Sequence, residues 1–248
     1  MEPGLYLVGT PIGHMQDITL RALDTLRGVS LILAEDTRQT RKLLDRHGLS
    51  TPMLSYHKFN EAARVGEVVD RLRGGAALAL VTDAGMPGVS DPGARVVSAC
   101  RAAGLKVYVV PGPSAVTSAV ALAGFASGGF VFGGFLPNKS GARRRRLAEL
   151  GAGALPIVLF ESPYRLLKLA DDVEAVLGPR RMVVARELTK HFEEVVDGTP
   201  ADIRASFAKR TVKGEIVVVI EPGEGAPVGD WPDAPDDEGT PEPEEPSA

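Results

Sequence analysis

The sequence contains one cysteine, Cys100, in 248 residues, which excludes an internal disulfide and a cysteine-rich metal site. Its four histidines, His14, His47, His57 and His191, are scattered without metal-ligand spacing, so no metal is predicted. No apolar run reaches the length of a membrane span, and the start lacks the basic and apolar segments of a secretory signal. These absences predict a cytoplasmic chain with no membrane partner. Neither GxGxxG nor GxxxxGK occurs, which leaves NAD and ATP without sequence support. One segment also lacks a sign of charge: Glu221 to Ala248 carries ten acidic residues and no Lys or Arg, so the formal net charge of −4 misrepresents the body. Residues 1–220 hold 28 basic against 22 acidic residues, a formal +6. Acidic, proline-rich and nearly free of large apolar side chains, residues 222–248 are predicted to be a disordered tail.

Glycine and proline are plentiful, with 28 and 19 residues, and they mark three loops. The most informative reads VTDAGMPGVSDPG, from Val81 to Gly93, where an apolar run ends and Gly85, Gly88, Pro87 and Pro92 fix the path. Glycines there let a ligand approach the backbone, and prolines stiffen the loop. A long connecting turn is the plainer alternative. Similar loops, VGTPIGHMQDIT and VVPGPSA, follow other apolar runs. Parallel strands would place all three at one sheet edge, where open α/β sheets bind ligands.

Apolar runs at Leu5–Val8, Leu31–Ala34, Ala77–Val81 and Val107–Val110 predict buried parallel strands. Between them lie helical patterns: Leu20, Leu23 and Leu26 behind an Asp17 cap, Val65, Val68, Val69 and Leu72 before Gly74, and a helix opened by Asp91 and Pro92 and ended by Gly104. Pro111, Gly112 and Pro113 mark a boundary, giving an N-terminal α/β domain over 1–112 and a C-terminal one over 113–221. Strands are predicted in the second at Phe130–Gly133, Pro156–Phe160, Met182–Arg186, Glu193–Asp197 and Glu215–Ile220. Its helices are predicted at Ser114–Leu122, Gly141–Leu150, Pro163–Val176 and Pro200–Ala208. The short LTKHF link suggests a hairpin, hence a mixed sheet.

Eight segments in order make a family resemblance specific: LYLVGTPIGHMQDITLRAL, AEDTRQTRKLL, VTDAGMPGVSDPG, PGPSA, FGGFLPNKSGARRRR, FESPYRL, ARELTKHFEEV and KGEIVVVI. They resemble the ribosomal RNA small subunit methyltransferase I family, a branch of the tetrapyrrole methylase superfamily, from Leu5 to about Ile220. The resemblance implies a two-domain tetrapyrrole methylase-like fold, an N-terminal parallel sheet and a C-terminal mixed sheet with S-adenosylmethionine in the cleft between domains. It also implies a homodimer that methylates a cytidine 2′-hydroxyl in the decoding region of 16S rRNA, with naked RNA or the small ribosomal subunit as substrate. The cofactor residues it implies are Pro11, Ile12, Ala84, Gly85, Met86, Pro87, Gly88, Val89, Ser114, Ala115, Phe160, Glu161, Ala185, Arg186 and Glu187. Where the superfamily usually carries GDP, this chain has Gly85, Met86 and Pro87, a departure that suits the RNA branch. Many members continue into a small helical domain where this chain has the acidic tail.

Methylating a hydroxyl requires in-line positioning and a proton acceptor. Candidates are Glu35, Asp36, Asp83, Asp91, Glu161, Glu187 and Lys190, although for any one carboxylate a cap or ion-pair role is the stronger reading, Asp91 most clearly. Basic residues that suit RNA phosphates are Arg38, Arg41 and Lys42, and Lys139 with Arg143, Arg144, Arg145 and Arg146. Four consecutive arginines surround a helix, so a solvated or acid-paired surface has equal standing. Two rivals stay open: a small-molecule methylase of the tetrapyrrole or diphthine type, and a non-catalytic RNA-binding assembly factor.

Overall fold

The computed structural model describes residues 1–125 and 128–223. The predicted disordered tail therefore lies outside the described residues, apart from Pro222 and Gly223.

Five short apolar segments form the first sheet: β1 (Gly4–Val8), β2 (Leu31–Ala34), β3 (Met53–Ser55), β4 (Ala77–Val81) and β5 (Val107–Val110). Their order is β3-β2-β4-β1-β5, and every neighbouring pair is parallel. The ALALV of β4 is buried throughout, because both faces of a parallel sheet are covered by its crossover helices. On one face α1 (Leu20–Gly28) and α2 (Thr37–Arg46) pack Ala22, Leu26, Leu43 and Leu44 against Val8, Ile32, Ala79 and Val81. On the other, α3 (Glu61–Arg73) and α4 (Ala94–Ala102) pack Val68, Leu72, Val96 and Cys100 against Leu5, Leu33, Leu78 and Leu80. The helices leaving β1 and β4 thus depart to opposite faces, so the loops of these adjacent strands splay apart and leave a crevice at their carboxyl ends.

After α5 (Ala115–Ala123), the second sheet has the order β6-β7-β10-β8-β9, built from β6 (Val131–Phe135), β7 (Ile157–Glu161), β8 (Met182–Arg186), β9 (Glu194–Gly198) and β10 (Ile216–Ile220). Only β6 and β7 run parallel, so the sheet is mixed, as the β8–β9 hairpin predicted. Three helices, α6 (Ser140–Gly151), α7 (Leu166–Leu177) and α8 (Pro200–Phe207), cover one face with Leu147, Leu169, Val173, Ile203 and Phe207. The opposite face receives Val116 and Ala119 of α5 and, from the first β1 loop, Ile12. That contact brings the crevice of the parallel sheet against the second sheet.

Local signals differ in places. The cap of α1 is Thr19, whose hydroxyl accepts from the Ala22 N–H at 3.1 Å, and Asp17 closes a separate 3-10 turn. The helix expected at Pro163 starts at Leu166, because residues 162–165 make a turn with the Arg165 N–H on the Ser162 carbonyl at 2.9 Å. Thr199 and Pro200 behave as read: the Thr199 hydroxyl and the Asp202 carboxylate form a capping box. Asp91 is not a cap at all; α4 begins after Gly93, with no side-chain capping bond.

A candidate methyltransferase cleft

The three glycine- and proline-rich loops meet. Thr10 and Gly85 exchange two backbone hydrogen bonds at 3.0 and 3.1 Å, and the Thr10 hydroxyl donates to the Thr82 carbonyl at 3.0 Å. A Cβ placed on Gly9 would lie 2.7 Å from backbone atoms of Gly112 and 2.7 Å from the Met86 sulfur, so all three loops touch at that residue. From the second sheet, Thr189 accepts the His14 N–H at 3.0 Å, closing the cleft from the far side.

The cavity between the sheets has a volume of about 350 Å³. Its walls are Ile12 from the first loop, Ala84, Gly85, Met86 and Val89 from the second, and Ser114 and Ala115 from the third. Phe160, Glu161 and Ala185 face these from β7 and β8. Ten residues implied by resemblance therefore line one cavity. Pro11 and Pro87 are buried beside it, shaping the loops, and Gly88 lies outside it, exposed. Arg186 lies outside too: its guanidinium pairs with Glu194 at 3.0 Å and donates to the carbonyls of Phe192 and Lys213. Glu187 accepts from the Glu215 N–H and from Lys190, both at 2.9 Å, and so ties two chain segments together. Phe135, Leu188 and Gly214 carry no local signal in the sequence and join the wall through the placement of the second sheet, whereas Ser90 joins it from the loop between β4 and α4.

Among the candidate acids, Asp36 caps α2 and pairs with Arg38 at 2.6 Å; the Arg38 hydrogen bonds hold its carboxyl down at about 2. Asp83 accepts the Asp36 N–H at 3.1 Å, and burial raises it and Glu35 above the usual range. Burial disfavours charge on Lys190, but its bonds to Glu215 and Glu187 prevail and raise its pKa. Glu161 is buried; burial raises its pKa, opposed by the Ser162 N–H at 2.7 Å and by Arg165 at 3.2 Å. Its Oε2 has no hydrogen-bond partner among the described residues. A buried acceptor open on a cavity wall calls for a donor from water or from a ligand.

The arginine run divides. Arg143 is 3% exposed and donates to Asp172 at 2.6 Å, so it is a buried structural residue and not a phosphate ligand as predicted. Arg144 donates to the same carboxylate at 2.6 Å from a half-exposed position, and Arg146 pairs with Glu149. Lys139 and Arg145 are exposed and make no ion pair among the described residues. Arg38, Arg41 and Lys42 are exposed on α2, with Lys42 on Gln39 at 3.0 Å. Among the described residues, no group of three or more His, Cys, Asp or Glu could hold a metal ion, and no helix is long and apolar enough to cross a membrane.

The two-sheet fold is shared with solved methyltransferase structures. One is a cobalt precorrin-4 methyltransferase (TM-score 0.67, 19% identity, 88% of this chain and 94% of that one). Another is a uroporphyrin-III C-methyltransferase from Thermus thermophilus in complex with S-adenosylhomocysteine (TM-score 0.62, 17% identity, 89% and 97%). Residues 4–204 match the sequence model of the tetrapyrrole (corrin/porphyrin) methylases. The chain is 47% identical over 216 residues to ribosomal RNA small subunit methyltransferase I of Thermotoga maritima, covering 87% of this chain and 97% of that protein. Over 226 residues it is 46% identical to the Mesorhizobium japonicum protein of the same name, covering 90% and 77%. The chain belongs to the tetrapyrrole methylase family, in its ribosomal RNA small subunit methyltransferase I branch, and is an S-adenosylmethionine-dependent methyltransferase.

Gly85 provides a direct check on the cleft. Its φ of +79° places it in the left-handed region, and a Cβ would stand 3.6 Å from Ile12 within the wall. Gly85→Val should cost about 1–2 kcal/mol in backbone strain and crowd the cavity. Calorimetric titration should show S-adenosylmethionine affinity reduced at least tenfold in a folded protein; unchanged affinity would remove this loop from the site.

Proposed function

We propose that this enzyme methylates the ribose 2′-hydroxyl of a cytidine in the decoding region of 16S rRNA, acting in the cytoplasm as a homodimer with units 1–112 and 113–221. The observation that carries the reading is the cleft itself, with its apolar wall and the open acceptor at Glu161 Oε2. Met86, Val89, Phe160 and Ala185 give the apolar contact suited to an adenosyl group, while Gly85, Ser114 and Ala115 offer backbone at close range. Glu161 accepts a hydrogen bond from an amino or hydroxyl group of the cofactor. Bound there, S-adenosylmethionine supplies a methyl group on a positively charged sulfur. The chain's own contribution is to hold that group, exclude water and present the hydroxyl in line, which is worth much of the acceleration.

Arg41, Lys139 and Arg145 are exposed and make no ion pair among the described residues, and they are the phosphate contacts in this reading. Arg38, Lys42, Arg144 and Arg146 add charge around them. Arginine and lysine contacts to phosphate dominate RNA affinity without reading sequence, so the target nucleotide is chosen by its fit to the cleft. The test is mass spectrometry of nucleosides from small-subunit rRNA of cells with and without this chain. The expected result is loss of one 2′-O-methylcytidine. An unchanged ribose methylation pattern, or loss of a base-methylated cytidine instead, would reject the assignment.

A further inference from the structure

Among the large apolar side chains of the described residues, Phe59 is the most exposed, at 88%. Its segment between β3 and α3 is nevertheless held in place. The Asn60 carboxamide accepts the His57 N–H at 2.8 Å and donates to the Ser55 carbonyl at 3.2 Å, while His57 Nδ1 accepts the Phe59 N–H at 3.3 Å. The N–H groups of Asn60 and Glu61 both donate to the His57 carbonyl, at 2.9 and 2.8 Å, and lead into α3. A turn with this many bonds carries the ring outward in a fixed position, where it serves no core. The His57 imidazole meets the ring edge-on at a centroid distance of 6.1 Å, and the Lys58 ammonium lies 5.7 Å from the ring centroid.

The turn stands at the edge of the parallel sheet on which the cleft opens. β2 runs parallel to both β3 and β4, and Ala34 lies opposite Ser55. The Tyr56 N–H donates to the Ala34 carbonyl at 2.8 Å, so the chain leaves β2 and β3 side by side at their carboxyl ends. Just beyond β2, Glu35 accepts the N–H of Asp83 at 3.5 Å, one residue before Ala84 on the cavity wall. Exposed cations share this edge: Lys58 in the turn itself and Arg38 in the first turn of α2. We propose that Phe59 is a stacking platform for an unpaired base of the RNA substrate, in a nucleotide flanking the one methylated, an inference that rests on the function proposed above. Single-stranded RNA is held by bases stacked on aromatic side chains with cations on the adjoining phosphates, and Phe59 with Lys58 offers both at one point. A protein partner would need a wider apolar patch, whereas the sequence neighbours of this ring, His57, Lys58, Asn60 and Glu61, are all polar. For one ribose to enter the cavity, the nucleotides beside it must pass over the surrounding loops. Every base has a π-face, so the platform fixes the path of the strand and not its sequence.

The test compares Phe59→Ala, Phe59→Leu and Phe59→Trp in the full chain, by methylation kinetics on small ribosomal subunits purified from cells lacking this chain. Stacking on one base changes affinity by about 5–150-fold. Phe59→Ala should raise KM for the subunit by that factor and leave kcat in place, as removal of a contact made equally in ground and transition states does. S-adenosylmethionine affinity should change by less than about threefold. Because the ring is uncharged, the dependence of RNA binding on salt should keep its slope, whereas Lys58→Gln should lower it. Phe59→Leu keeps apolar bulk without a flat face and should lose nearly as much as Phe59→Ala, while Phe59→Trp should retain the KM of the unaltered enzyme. In a Trp231→Phe background, which removes the chain's one native tryptophan, the indole introduced at position 59 should be quenched by a short single-stranded oligocytidylate. An unchanged KM in Phe59→Ala, full activity in Phe59→Leu, a parallel loss of cofactor binding, or an indole that the oligocytidylate does not quench would each overturn the assignment. Absence of 2′-O-methylated product from the unaltered enzyme is the separate outcome in which the underlying reading fails.

Discussion

Asp172→Ala should destabilise the fold by about 3–5 kcal/mol, because it strands the buried Arg143 guanidinium without a counter-charge. Asp172 sits on α7, where three donors from α6 converge on it: Arg143 at 2.6 Å, Arg144 at 2.6 Å and the Ser140 hydroxyl at 2.8 Å. Burial works against its charge, yet these bonds prevail and lower its pKa. For a chain of this size the loss corresponds to a fall of roughly 6–20 °C in Tm, read by scanning calorimetry. Replacing both partners, with Arg143→Met and Asp172→Leu, should recover much of the loss, since apolar residues of similar volume carry no desolvation cost. A single variant melting within two degrees of the unaltered protein would show the pair to be inert. The same double variant should leave the salt dependence of RNA binding unchanged, because a buried guanidinium releases no counterions.

The second large effect is expected at Gly9, where β1 ends. Gly9→Ala directs a methyl group 2.7 Å from the backbone of Gly112 and 2.7 Å from Met86, and backbone cannot yield as a side-chain tip can. Overpacking costs about 1–3 kcal/mol, and forcing the three loops apart misplaces the cleft wall on which cofactor positioning depends. S-adenosylmethionine affinity should fall on the order of 100-fold, the scale expected of a 1 Å misplacement. Gly66→Ala provides the contrast. Gly66 lies in the interior of α3 with nothing within 4 Å of a new Cβ, so the substitution should stabilise the protein by up to about 1 kcal/mol and leave binding untouched. Equal binding by the two variants would contradict the loop contact.

Strand positions were legible because parallel strands buried on both faces must be apolar throughout, and ALALV or LILA carries that mark without context. The helix α2 escaped notice since Leu43 and Leu44 are the only apolar residues of its TRQTRKLLDR and stand side by side, which shows no helical period. The three-residue β3 is too short to show alternation. Composition and order of the glycine- and proline-rich loops also pointed to a crevice at one sheet edge, because backbone approach depends on local residue type.

What only the tertiary structure decided is how charged side chains are partnered. Arg143, Arg144, Arg145 and Arg146 are identical in sequence terms, yet the packing of α6 on α7 buries the first and leaves Arg145 without an ion pair among the described residues. Asp91 precedes a proline before a helix, as a cap would, but Gly93 takes the capping position and turns the carboxylate's segment to the cavity wall. Chain-local chemistry thus determined the strands and the loops, while the class of cofactor followed from the family resemblance. The ionisation and role of each charged group were set by neighbours distant in sequence, since desolvation and Coulomb interactions depend on separation in space.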